Sequence, residues 1–238
     1  MPPARTLAAT LFMTLDGVVE APDKWSFSFW SEETGKFKLA ETRASDALLL
    51  GRVTYEGFAA AWPGRKDADG FADQFNSMPK YVASRTLKKL EWNNSHLIRG
   101  DLAAEVSKLK HQPGKDIVIH GSPTLIRFLM PHDLIDEYRL LIYPLVLGRG
   151  KRLFDETSQA NLNLAESQAL GKGVVKLVYK RADKAGEPRK TGSRPPQVRS
   201  PASAYGRRIE RSTLRFPRSE SGPSLRPCRH QSQESSCR

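Results

Sequence analysis

The segment from Asp116 to Met130, DIVIHGSPTLIRFLM, constrains the fold of this chain more than any other stretch. Ile117, Val118 and Ile119 read as a buried strand, Gly121 as a tight turn and Pro123 as the first position of a helix, where its missing N–H costs nothing. A strand that ends in glycine lets backbone approach a ligand closely. The helix start beyond it presents free amides and a positive dipole end. A second strand-to-helix junction, LLLGRVTY from Leu48 to Tyr55, lies upstream. Two such junctions in one short α/β chain point to a dinucleotide site.

The rest of residues 1–183 alternates strands with helices. Arg5 to Val19 begins as a strand and turns at Asp16-Gly17. Ser31 is placed to cap a helix whose stripe is Phe37, Ala40, Ala44 and Leu48. Strands are expected at 46–50, 80–84, 95–99 and 116–120, and helices at 53–62, after Asp101, and between Gly121 and Pro131. The second of these helices carries Leu102, Val106 and Leu109 and stops at Pro113-Gly114. Two late strands, 137–143 and 174–180, complete the pattern. Strand, helix, strand with short connections implies a mainly parallel central sheet with helices on both faces, and the late pair adds an antiparallel C-terminal edge. Ligands of such sheets bind beyond the carboxyl ends of the strands, where Gly51 and Gly121 both sit.

Composition divides the chain. Residues 187–238 hold 11 Arg, 10 Ser and 7 Pro with six large apolar residues, too little apolar surface to offset ordering entropy, so residues 184–238 are expected to be a disordered basic tail. That segment carries 13 Lys and Arg against 4 Asp and Glu, which leaves 25 against 22 for residues 1–183. The basic character therefore belongs to the tail. Tyr205 and Phe216 among its arginines allow nucleic-acid contact, but low-complexity basic composition specifies no partner, so nucleic-acid binding is not the favoured reading. Both cysteines, Cys228 and Cys237, lie there as well, so residues 1–183 have no thiol chemistry or disulfide. No apolar run reaches the roughly 20 residues of a membrane span, and a signal-peptide pattern is lacking, so a cytoplasmic location is expected. Ser122 does not sit in Gly-x-Ser-x-Gly, which sets a serine hydrolase aside. The histidines show no paired metal spacing, and His120, ending an apolar strand, reads as a core or rim residue.

Four ordered motifs resemble a known family. They are Thr14-Leu15-Asp16-Gly17 after the first strand, Gly51-Arg52-Val53-Thr54 opening a helix, Ser84-Arg85-Thr86 after a strand, and His120-Gly121-Ser122-Pro123-Thr124. Together they are similar to the dihydrofolate reductase-like fold, and within it to the C-terminal reductase domain of the bacterial bifunctional riboflavin-biosynthesis deaminase-reductase. The resemblance covers residues 5 to about 181. It implies an NADPH-dependent reductase that passes a hydride to a small heterocyclic, carbonyl or imine substrate. Gly51, Arg52 and Thr54 would then meet phosphate, Ser84, Arg85 and Thr86 the adenosine 2′-phosphate, and Gly121, Ser122, Thr124 and Leu125 the pyrophosphate. Asp16 would be the catalytic acid, although Asp before Gly also serves a plain turn, and Trp30 and Ser31 would line the substrate side. The family often forms homodimers through its late strands. The chain departs from the riboflavin enzyme in lacking an arginine cluster on the early helix and any zinc-deaminase signature. A non-catalytic nucleotide-binding or nucleic-acid-binding protein remains the alternative.

Overall fold

The computed structural model describes residues 4–182. The expected basic tail, 184–238, lies outside the described residues. Eight strands form one sheet: β1 (Leu7–Thr14), β2 (Ser45–Gly51), β3 (Lys80–Ala83), β4 (Ser95–Leu97), β5 (Asp116–His120), β6 (Glu137–Tyr143), β7 (Leu162–Ala169) and β8 (Val175–Arg181). Their order is β4-β3-β2-β5-β1-β6-β8-β7. The first six strands run parallel, and β8 is antiparallel to both β6 and β7. The expected mainly parallel sheet, with helices on both faces and an antiparallel C-terminal edge, is thus the fold of this chain.

Central strands read as unbroken apolar runs because both of their faces are covered. Successive residues of β2 show it: Leu48 and Leu50 point to one face, Ala47 and Leu49 to the other, and all four are fully buried. The Leu49 face, with Leu7, Ala9, Ile117 and Ile119, packs on α4 (Leu102–Lys110) and α5 (Pro123–Leu129) through Val106, Leu109, Leu125, Ile126 and Leu129. The Leu48 face packs on α2 (Arg52–Ala61) and α3 (Phe71–Ser77) through Tyr55 and Phe75. Truncating one of these buried leucines to Ala would cost about 2–5 kcal/mol. Local signals placed the helix ends. Asp101 accepts from Ala104 N–H at 2.7 Å to cap α4, Lys108 and Lys110 occupy its last turn, and Pro123 opens α5.

Helix α1 (Glu32–Ala44) begins at Ser31 as expected, with Ser31 Oγ accepting from Thr34 N–H at 3.2 Å. Its expected apolar stripe is corrected by the structure. Ala40 and Ala44 are exposed, Leu48 belongs to β2, and the buried face is Thr34, Lys38, Glu41 and Thr42, spaced for a helix but polar. Lys38 pairs with Glu41 and donates to Thr10 Oγ1 at 3.2 Å. Arg139 lies 3.6 Å from Glu41 and bonds Asp116 at 2.8 Å and Glu137 at 2.7 Å. Charge pairing replaces apolar burial here because each ion finds a partner. Two other elements, α3 and β7, had no counterpart in the sequence reading.

Candidate functional site

Strands β1 and β5 are parallel neighbours, yet their chains leave in opposite directions. After β1 the chain passes to α1, whose Phe37 packs with Leu141 and Tyr143 of β6, while after β5 it passes to α5 in the cluster on the opposite face. The divergence makes the carboxyl ends of β1 and β5, at Thr14 and His120, the topological switch point, the place where open α/β sheets bind ligands.

The two glycine junctions meet next to this point, at the carboxyl ends of the paired strands β2 and β5. Ser122 Oγ accepts a hydrogen bond from Gly51 N–H at 2.9 Å and lies 2.7 Å from Thr54 Oγ1. Gly121 and Ser122 both adopt left-handed backbone, with φ of 61° and 58°, which turns the Ser122 hydroxyl away from capping its own helix and toward Gly51. A Cβ on Gly51 would stand 2.8 Å from Ser122 Oγ, so glycine is required there by close approach. One on Gly121 would stand 3.5 Å from Thr54 Oγ1. A single hydroxyl thus clasps the β2–α2 turn to the β5–α5 turn across a sequence gap of 71 residues. Thr124 is exposed on the first turn of α5, whose first helical bond runs from Ile126 N–H to Ser122 O. Leu125 sends its side chain into the core and leaves only backbone for a ligand.

Ala83 pairs with Gly51, so Ser84, Arg85 and Thr86 emerge beside the clasp. Ser84 Oγ accepts from Thr86 N–H at 3.2 Å and from Leu87 N–H at 3.0 Å, which fixes a tight turn. Arg85 is exposed at that turn and has no ion pair or hydrogen bond among the described residues. Arg52, by contrast, is tied to Glu56 one turn along α2 at 2.8 Å.

Asp16 has a different setting from that of a free acid. Its carboxylate accepts from Thr14 Oγ1 at 2.6 Å, from Gly148 N–H at 2.8 Å and from Leu147 N–H at 3.2 Å. These bonds, the Thr14 hydroxyl foremost, hold its pKa down at about 2. Ionised at neutral pH, it has no proton to give; it anchors the β6–β7 loop to the β1 turn. Arg152 completes the anchor by donating to Asp16 O at 2.9 Å. Trp30 is partly exposed and meets Phe12 of β1 edge-on at 6.3 Å, so the two rings form an aromatic pair on this side of the sheet. Ser31 is spent on capping α1 and on a hydrogen bond to Leu170 O.

His120, expected as a core or rim residue, is a half-buried rim residue. It sits at the carboxyl end of β5, edge-on to Phe75 at 5.4 Å and Phe58 at 6.0 Å, without a hydrogen bond among the described residues. Burial, reinforced by the Lys38 and Arg139 charges and partly opposed by Glu41, drives its pKa down to about 3, so its imidazole is neutral at physiological pH. Among the described residues no group of three or more His, Cys, Asp or Glu is gathered for a metal ion, and no helix is long and apolar enough to cross a membrane.

The sequence profile of the RibD C-terminal domain matches residues 5–176. The chain belongs to this family. It is 33% identical over 180 residues to the uncharacterized protein YyaP of Bacillus subtilis strain 168, a match spanning 74% of this chain and 94% of YyaP. Among solved structures it is similar to a Shewanella sp. PV-4 protein provisionally assigned to riboflavin biosynthesis, with a TM-score of 0.59 and 23% identity over 75% of this chain and 99% of that one. It also resembles the Thermotoga maritima diaminohydroxyphosphoribosylaminopyrimidine deaminase/5-amino-6-(5-phosphoribosylamino)uracil reductase, with a TM-score of 0.54 and 12% identity, covering 75% of this chain and 57% of that one. At these identities the two structures speak to the fold. RibD C-terminal domains are reductase-like, and that coarse class extends to this chain.

Proposed function

We propose that this RibD C-terminal-type domain is an NADPH-dependent reductase acting on a small heterocyclic, carbonyl or imine substrate. The observation that carries the reading is the Gly51–Ser122–Thr54 clasp next to the switch point, with the unpaired Arg85 beside it. The residues present fit a dinucleotide. Gly51 N–H and the space beside it are taken by Ser122, so a pyrophosphate would lie on the outer side of the clasp, against the exposed start of α2, which offers amides and the positive end of its dipole. Arg85, flanked by two hydroxyls, suits a phosphate dianion and would distinguish NADPH from NADH. The cofactor would supply the hydride. The chain's own part is to orient the nicotinamide against the β1 turn, which Asp16 holds in place, and to exclude water with Phe12 and Trp30. With Asp16 held at a pKa of about 2, its contribution is to position the loop, and the proton comes from elsewhere.

The substrate class rests on kinship with the reductase half of riboflavin synthesis and on the aromatic pair of Phe12 and Trp30, which suits a planar ring. Homodimerisation is part of the same proposal. Among the described residues the outer edge of β7 has no strand partner, and Leu164 and Val175 are exposed on that end of the sheet. Calorimetric titration with NADPH and NADH, beside Arg85→Ala, tests the cofactor reading. Tighter binding of NADPH, with the preference lost in the variant by about 1.5–3 kcal/mol as for a hydrogen-bonded charge, is the expected result. Binding of neither nucleotide would refute it.

A further inference from the structure

The connection between β3 and β4, residues 84–94, is held to the domain in an unusual way. No β-ladder joins residues 85–93 to the sheet, and the segment's one backbone turn is at 93–94. Side chains secure the segment: Trp92 is buried in the core beside Tyr55 and Phe75, Leu87 and Leu90 pack against that core, and hydrogen bonds hold the two ends. At the near end is the Ser84 turn. At the far end the Trp92 backbone N–H donates to Tyr55 Oη at 3.0 Å, its indole N–H donates to Asn76 Oδ1 at 2.8 Å, and Asn94 Nδ2 donates to Ser77 O at 2.9 Å. Lys80 sits beneath this far end. Its residue is 0% exposed, its ammonium donates to Asn76 O and to Asn93 O at 2.9 Å, and the indole of Trp92 lies 4.3 Å away.

Among the described residues Lys80 has no ion pair, unlike the other buried lysines Lys38, Lys110 and Lys176, which all have a carboxylate. The charged and titratable groups around it do not supply one. Asp73 of α3 is exposed, Glu91 of the connection pairs with Lys89 in solvent, and Tyr55 of α2 is engaged with Trp92. On β3 and β4, Tyr81 and His96 stack on each other, and Tyr81 packs into the core on the opposite face. Two carbonyls, one at the electronegative end of α3, and an indole face are what the ammonium receives in exchange for water.

We propose that residues 84–94 form a flap whose opening is set by Lys80: the buried, carboxylate-free ammonium regains water only when the flap lifts, so protonation favours the lifted state and the neutral amine the closed one. Lifting the segment frees no ladder hydrogen bonds but exposes Trp92, Leu87 and Leu90 together with the ammonium, so the lifted state is a minor one that the Lys80 charge favours. Burial lowers the Lys80 pKa to about 8 in the closed state, against 10.5 for a solvated lysine, so closure tightens as pH rises through 8 and levels off near 10.5. The flap carries Ser84, Arg85 and Thr86, so its state sets where Arg85 stands. The proposal holds whether or not a nucleotide binds there.

Amide hydrogen exchange of the full-length protein, expressed as protection factors between pH 7 and 9.5, tests it. Protection of the Trp92 amide, which the closed segment holds on Tyr55 Oη, and of the Thr86 and Leu87 amides is expected to rise about ten-fold between pH 8 and 9.5 in the wild type, the linkage result for those two pKa values, while β5 amides hold theirs. Lys80→Met cannot ionise and Lys80→Arg stays charged, so each is expected to lose the rise and give a flat profile. Wild-type protection that stays flat or falls over this range would overturn the proposal, as would either variant keeping the rise. If Lys80→Met fails to fold, the wild-type profile and that of Lys80→Arg decide the matter.

Discussion

Replacing Gly51 with Ala tests the clasp at its tightest point. The backbone at Gly51 has φ −80° and ψ 162°, which any residue can adopt, so Ala adds no torsional strain and trims unfolded-state entropy by about 0.4–1 kcal/mol in favour of folding. Against that, the new Cβ would stand 2.8 Å from Ser122 Oγ and 3.1 Å from Ser122 Cβ. The hydroxyl must move, forfeiting its bonds to Gly51 N–H and Thr54, each worth about 1 kcal/mol, and the crowding adds about 1 kcal/mol or more. The net expectation is a loss of about 2 kcal/mol for Gly51→Ala in the wild-type background. Removing the obstructing side chain should cancel it. Ser122→Gly suits the left-handed backbone at that position, and in that background Gly51→Ala should be neutral or slightly stabilising. Urea or thermal denaturation of the four proteins gives the coupling energy, expected at about 2 kcal/mol, or a Tm difference of about 4–8 °C for a domain of this size. Additive effects, within about 0.5 kcal/mol, would refute the claim that these two positions share one space.

Two further outcomes follow from the site. Asp16, with its pKa lowered from 3.8 to about 2, stabilises the fold above pH 4, and that contribution is lost as pH falls through 2. Asp16→Asn should therefore flatten the acid limb of a urea-midpoint profile between pH 4 and 2, and an unchanged limb would count against the loop anchor. Under α1, Lys38→Met leaves Glu41 buried with Arg139 alone and should cost about 3–5 kcal/mol, whereas adding Glu41→Leu should recover part of the loss. Equilibrium denaturation would contradict this if the double variant were the less stable.

What the sequence disclosed here was local. Gly51, Gly121 and Pro123 punctuate strand-to-helix junctions whatever surrounds them, and the apolar runs of β2 and β5 advertise strands covered on both faces. Motif order added the fold. The misses share one cause, which is dependence on partners remote in the chain. The polar face of α1 makes sense only with Thr10 and Arg139 beside it, and Asp16 reads as an acid until the amides of residues 147 and 148 are brought to it. Strand β7 escaped notice because its residues are nearly all exposed, so LNLAESQA carries no buried alternation to betray it. The short α3 lies between two loops and has no side-chain cap at Gly70 to announce it.

The central claim is that a dinucleotide lies across the clasp with its 2′-phosphate at Arg85. Backbone amide chemical shifts followed during an NADPH titration of the full-length protein test it most directly. The account predicts that saturable shifts gather at residues 51–54, 84–86 and 121–125, and that those at 84–86 are absent with NADH. Saturable shifts confined to other surfaces, or none at millimolar NADPH, would contradict it.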